Sequence, residues 1–128
     1  MSDIQVGDSA TREFVVGDED TATALGSGDV SVLGTPRAIA WAESVTVAAV
    51  AERLDDNETT VGSRVCVEHV LASQVGETVV ATALVAEVDR RRVQFEVTLV
   101  NRDGRTALSG SVQRVVVDRE GFLASPGE

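Results

Sequence analysis

Apolar and polar positions along the chain follow two different rhythms. From Thr35 to Leu54 the residues Ile39, Ala40, Ala42, Val45, Val47, Ala48, Ala49 and Val50 cover most of a helical circumference, with no Gly or Pro inside the run. Thr35 suits the N-cap, Pro36 the first helical position, and Asp55-Asp56-Asn57 ends the segment. The spacing predicts one long helix, apolar enough to be largely buried. Beyond Asn57 the period drops to two: Val93, Phe95, Val97 and Leu99 share one face, and Gln94, Glu96 and Thr98 the other. Strands are predicted over Val61–Val70, Thr78–Asp89, Arg92–Asn101 and Thr106–Asp118, with turn signals between the last three at Asp89–Arg91 and Asn101–Gly104. A short strand, Thr11–Val16, precedes the helix. The acidic run Gly17–Asp20 and a Gly-, Thr-, Ser- and Ala-rich stretch to Ser31 follow it as a loop with room for one helical turn. Strand, helix and four strands with short connections make an α+β fold, an antiparallel sheet packed on a single helix. Residues 1–128 are expected to form one domain with polar ends at about 1–9 and 124–128.

Composition narrows the function classes. The 128 residues suffice for a single core, and 24 valines with 3% aromatics require that core to be aliphatic. All 11 basic residues are Arg, and against 21 acids they leave a net charge of −10. That field repels phosphate backbones, which argues against nucleic-acid binding and against docking on anionic membranes. The acid excess fits adaptation to high salt, and the absence of Lys fits both that and a biased codon usage. One cysteine and no basic-then-apolar leader point to the cytoplasm.

Three residues could carry chemistry. His69, the only histidine, alternates with Val65 and Val67 on the face expected to meet the helix, where a structural hydrogen bond and a catalytic role are both open. Glu43 lies in the apolar helix, where its carboxylate either pairs, protonates, faces a cavity or occupies a wet stripe. Thr35 is either a plain cap or a hydroxyl at a helix N-terminus suited to stabilising an oxyanion. With one His and one Cys, a metal site is not expected. Cys66, opposite in phase to His69, reads as a small buried hydrophobe, and Trp41 as a core or subunit contact.

The segments Gly34-Thr35-Pro36 to Ala42-Glu43, Val61-Gly62 to Val67-Glu68-His69, and Ser109-Gly110-Ser111-Val112-Gln113-Arg114 together resemble the hotdog-fold thioesterases, in particular the fluoroacetyl-CoA thioesterase family. The likeness runs from about Thr11 to Phe122. It implies a hotdog fold, hydrolysis of an acyl-CoA, no cofactor, and Thr35, Glu43 and His69 as catalytic residues. Gly62 and Arg114 match further family positions and are assigned to substrate binding, with Arg64 and Arg91 as candidates for the CoA phosphates from the charge argument. The Arg90-Arg91-Arg92 cluster otherwise reads as a solvated hairpin tip. Between Thr21 and Leu33 there is no aromatic residue, where the fluorinated-substrate enzyme carries phenylalanines. Eight helical residues separate Thr35 from Glu43 by roughly 12 Å, so one small reacting centre touches both only through bridging groups or through two copies of the chain. Hotdog proteins pair in that manner, which implies a homodimer or higher assembly with sites at the interface. The rival reading is a hotdog module that binds an acyl ligand or a partner without catalysis.

Overall fold

The computed structural model describes residues 2–125. Strand β1 (Ser9–Val15) leads through a 3-10 turn (Asp18–Asp20) and a one-turn helix α1 (Ala22–Leu25) into the long helix α2 (Thr35–Val50). Four strands follow, β2 (Glu58–His69), β3 (Thr78–Asp89), β4 (Arg92–Asn101) and β5 (Thr106–Asp118), and a short helix α3 (Arg119–Ala124) closes the described chain. All pairings are antiparallel, in the order β1-β3-β4-β5-β2. The chain thus leaves one edge of the sheet at β1, crosses its face as α2, and re-enters at the opposite edge as β2.

Inward-facing residues alternate along the central strands. Val93, Phe95, Val97 and Leu99 of β4 are fully buried beside Val79, Ala81, Ala83 and Val85 of β3 and Val112 of β5. Against them α2 packs Ala38, Ala42, Val45 and Val50. Phe95 is the largest of these side chains, and truncating a buried Phe costs about 3–5 kcal/mol. The small Ala residues of β3 and α2 let helix and sheet approach closely. Phe14 and Trp41 stack at the β1 side, centroids 4.7 Å apart and rings within 8° of parallel.

The helix differs from the expected one in three ways. Gly34 is the cap and Thr35 the first helical residue; regular helix stops at Val50, with Ala51–Arg53 tightening to a 3-10 turn. One curved sheet covers one flank, so Ala40 and Val47 stay open, the latter 44% exposed. Cys66 is exposed rather than buried, because β2 is an edge strand and, among the described residues, nothing covers residues 62–66.

Both ends of the described chain are tied down. Gly7 and Asp8 exchange backbone hydrogen bonds with Val85, and Ile4 joins the core. Asp118 caps α3 by accepting from the Gly121 amide at 2.7 Å while Asn57 donates to its other oxygen at 2.6 Å. No helix among the described residues is long and apolar enough to cross a membrane.

Candidate active site

Two polar clusters form where α2 lies over β2. Helix and strand run in opposite directions, so the start of α2 meets the end of β2 and the middle of α2 meets its beginning.

At the first junction Thr35 Oγ1 lies 2.7 Å from His69 Nδ1. Since Gly34 occupies the cap, the Thr35 side chain is free of that duty and points to the strand. With Nδ1 accepting the hydroxyl proton, Nε2 carries the ring hydrogen. Nε2 is buried and has no hydrogen-bond partner among the described residues. Burial pulls the imidazole pKa below its ordinary value of 6.5, so the ring favours the neutral form in which it accepts a proton. The pair opens on a cleft of about 310 Å³ whose other walls include Ala22, Ser27, Val32, Leu33, Val70 and Leu71. Several backbone ties hold those walls. Thr21 bridges Leu33, Val32 bridges Gln74, and the Leu33 amide donates to the Ser73 carbonyl at 2.9 Å. Ser73 in turn shares a buried 2.5 Å hydrogen bond with Asn101. Arg37 and the buried Asp20 form a 2.8 Å ion pair that anchors the first turn of α2.

At the second junction the Arg114 Nη1 donates to Glu43 Oε2 at 3.3 Å. Arg114 is buried and Glu43 about one-third exposed, so the carboxylate sits at an opening rather than inside the core. Burial lowers the Arg114 pKa, and the adjacent Glu43 carboxylate counters that shift. Gly62 faces Arg114 in the β2–β5 register, and a Cβ there would overlap Glu43 Oε2 and lie 3.5 Å from Arg114 Nη1. The missing side chain is the space the pair occupies. A bulge follows at Ser63, where the strand register slips between Gly62 and Arg64.

The sequence-derived site residues therefore separate. Thr35 and His69 come together, Glu43, Gly62 and Arg114 come together, and the two groups are roughly 12 Å apart along α2. Arg64 follows the bulge on the exposed edge. Arg91 lies in the β3–β4 turn, donating to the Val116 carbonyl at 3.1 Å and 3.9 Å from Glu58, and it borders an open cleft of about 730 Å³ with Asp89, Arg90, Arg92 and Val115. Thr60 was missed from sequence. It receives two hydrogen bonds from Arg114, at Oγ1 (2.8 Å) and at its carbonyl (3.0 Å). Its position two residues before Gly62, on the face that holds Arg114, is the signal that could have found it. Among the described residues no His, Cys, Asp and Glu group is placed to hold a metal ion.

The chain is similar to several known proteins. The model of the fluoroacetyl-CoA-specific thioesterase family matches residues 16–120. The fluoroacetyl-CoA thioesterase of Streptantibioticus cattleyicolor is 30% identical, over 94% of this chain and 91% of its own. A crystal structure of a variant fluoroacetyl-CoA-specific thioesterase in complex with fluoroacetate and CoA superposes with a TM-score of 0.86 at 29% identity, covering 93% of this chain and 99% of the other. A thioesterase superfamily member of Thermus thermophilus gives a TM-score of 0.89 at 25% identity, over 97% and 91% of the two chains. The chain belongs to the fluoroacetyl-CoA-specific thioesterase family and is a CoA thioester hydrolase on the hotdog fold.

Proposed function

We propose that the chain hydrolyses an acyl-CoA at sites shared between two copies, with Thr35 as nucleophile, His69 as its base and Glu43 activating water. The contact that carries this reading is the 2.7 Å approach of Thr35 Oγ1 to His69 Nδ1, the nucleophile-to-base distance that such catalysis needs. Threonine is inert at neutral pH without a base in reach. The Thr35 oxygen attacks the thioester carbonyl as its proton passes to Nδ1, the C–S bond breaks, and the imidazolium returns the proton to the CoA sulfur. Water then attacks the resulting ester and gives one proton to Glu43. The acyl C–O bond to Thr35 breaks, the Thr35 oxygen takes the second water proton back through His69, and the carboxylate leaves before Glu43 returns its proton to solvent. Pro36 has no N–H, so the helix start offers the amides of Thr35 and Arg37 to the oxyanion.

A second copy supports this scheme in two respects. Glu43 stands too far from Thr35 within one chain, and the buried Nε2–H has no acceptor among the described residues. The uncovered stretch of β2 from Gly62 to Cys66 and the open flank of α2 at Ala40 and Val47 offer a surface for that copy. Arg64 and Arg91 are the proposed contacts for the CoA phosphates, on a protein whose net charge otherwise opposes them. Gly62 serves the substrate indirectly, by admitting the Glu43–Arg114 pair. The acyl group is selected by the cleft beside Thr35, whose other walls are aliphatic residues and Ser27.

The test is release of CoA from a panel of short, branched and aromatic acyl-CoAs. Wild type is expected to turn over at least one class, and His69→Ala to lose roughly 10²- to 10⁴-fold in kcat. Undiminished release by His69→Ala would remove the base from the scheme, and no release from any substrate would favour a ligand-binding module.

A further inference from the structure

We infer that Thr60 is a positioning residue that aims the Glu43 carboxylate through Arg114, an inference that rests on the catalytic reading of Glu43. Three hydrogen bonds define the Arg114 guanidinium. Two of them go to Thr60, from Nε to Oγ1 at 2.8 Å and from Nη2 to the carbonyl at 3.0 Å, and the third leaves Nη1 for Glu43 Oε2 at 3.3 Å. A guanidinium is planar and rigid, so pinning two of its nitrogens, Nε and Nη2, to one residue fixes the direction of the third, Nη1. Thr60 therefore sets where Nη1 points, and Nη1 sets where the carboxylate rests.

The surroundings fit an aimed group rather than a structural tie. Thr60 is buried, on the same face of β2 as Gly62, and the bare Cα of Gly62 leaves the hollow into which Nη1 and Oε2 project. Burying a cation in a sheet is expensive, and an ion pair kept for stability alone is often matched by apolar residues of similar volume. Here the cation is buried while its carboxylate partner stays about one-third exposed, so the desolvated end of the arrangement supports the open end. Among the described residues the hydrogen-bond and ion-pair partners of Arg114 are Thr60 and Glu43, so the guanidinium takes its orientation from Thr60.

Thr60→Val preserves shape and removes Oγ1, leaving the carbonyl as the remaining anchor about which the guanidinium can pivot. Its kcat is expected to fall roughly tenfold to a hundredfold, the scale of a small misplacement of a reacting group, with KM little changed and the thermal midpoint reported alongside. Thr60→Ser restores the oxygen and is expected to recover kcat to within about threefold of wild type. The discriminating measurement adds Thr60→Val to Glu43→Gln: if Thr60 acts through Glu43, the valine costs nothing further in the residual activity. Thr60→Ala is read in the same way should the valine protein fail to fold. Equal losses in both backgrounds, no loss from Thr60→Val beside a crippled Glu43→Gln, or failure of Ser to rescue would each overturn the inference while leaving the role of Glu43 standing. Full activity of Glu43→Gln would instead overturn the catalytic reading of Glu43, and this inference with it.

Discussion

Thr35 stands one residue inside its helix, with Gly34 at the cap, and this register is what frees its hydroxyl for His69. The imidazole it meets is half-buried, and burial lowers its pKa from 6.5. A base acts in its unprotonated form, and a lowered pKa keeps that form populated at more acid pH. The acid limb of kcat/KM is therefore expected to have its midpoint below 6.5, with rates level between about pH 6.5 and 7.5. A midpoint above 6.5 would mean that a charge stabilises the imidazolium in the assembled site, against the burial seen here. The same shift acts on stability: as pH falls below the unfolded value of 6.5, the unfolded chain takes up a proton that the folded ring resists, and folding stability declines. In the sequence, Thr35, Glu43 and His69 were legible as candidates through their family spacing, yet which of them touch was not. Their contacts depend on the relative direction of α2 and β2, which no local pattern encodes. Thr60 was illegible for a different reason: a threonine in a strand fits β-propensity alone, and only its guanidinium partner gives it a further role.

At the level of elements, the approach of β2 to β5 depends on Gly110. It pairs with Val67 at φ 155°, and a Cβ there would overlap the Cys66 carbonyl and come within 2.6 Å of the Val67 Cα. These atoms are backbone and cannot swing aside, so Gly110→Ala must push β2 away from the sheet two residues before His69. The variant is expected to lose roughly 2–3 kcal/mol of stability and to lose activity by displacing His69 from Thr35, measured by denaturant unfolding and by kcat together. A fully stable, fully active Gly110→Ala would show that the edge strand yields more easily than its backbone contacts imply. The strands of this sheet were readable to different depths. β3, β4 and β5 have the bounds that alternation and turn residues predict. β2 begins at Glu58, three residues before the apolar pattern, because Glu58 and Thr60 bury polar side chains against Arg91 and Arg114. Helix α3 left no apolar period to read, being six residues held by a capping Asp118.

For the whole molecule, the question is whether one chain holds a complete site. Thr35 and His69 lie at one end of the α2–β2 crossing and Glu43 at the other, while β2, the strand that links them, is an uncovered edge. An uncovered edge strand of 12 residues invites pairing with another strand. In the proposed pair of copies, a two-fold axis through that edge would make the contact isologous, so that each copy gives what it receives. Two inactive proteins can then repair each other. In a mixed dimer of His69→Ala and Glu43→Gln chains, one site receives both substitutions and the other receives neither. After free exchange at equal concentrations half of the dimers are mixed and half of their sites intact, so the mixture is expected to recover about a quarter of wild-type activity. If His69 and Glu43 of the same chain served one site, every site in the mixture would carry one substitution and no activity would return. Exchange itself is checked by mixing differently tagged wild-type chains and measuring mixed dimers, which separates a failure to exchange from a site held within a single chain.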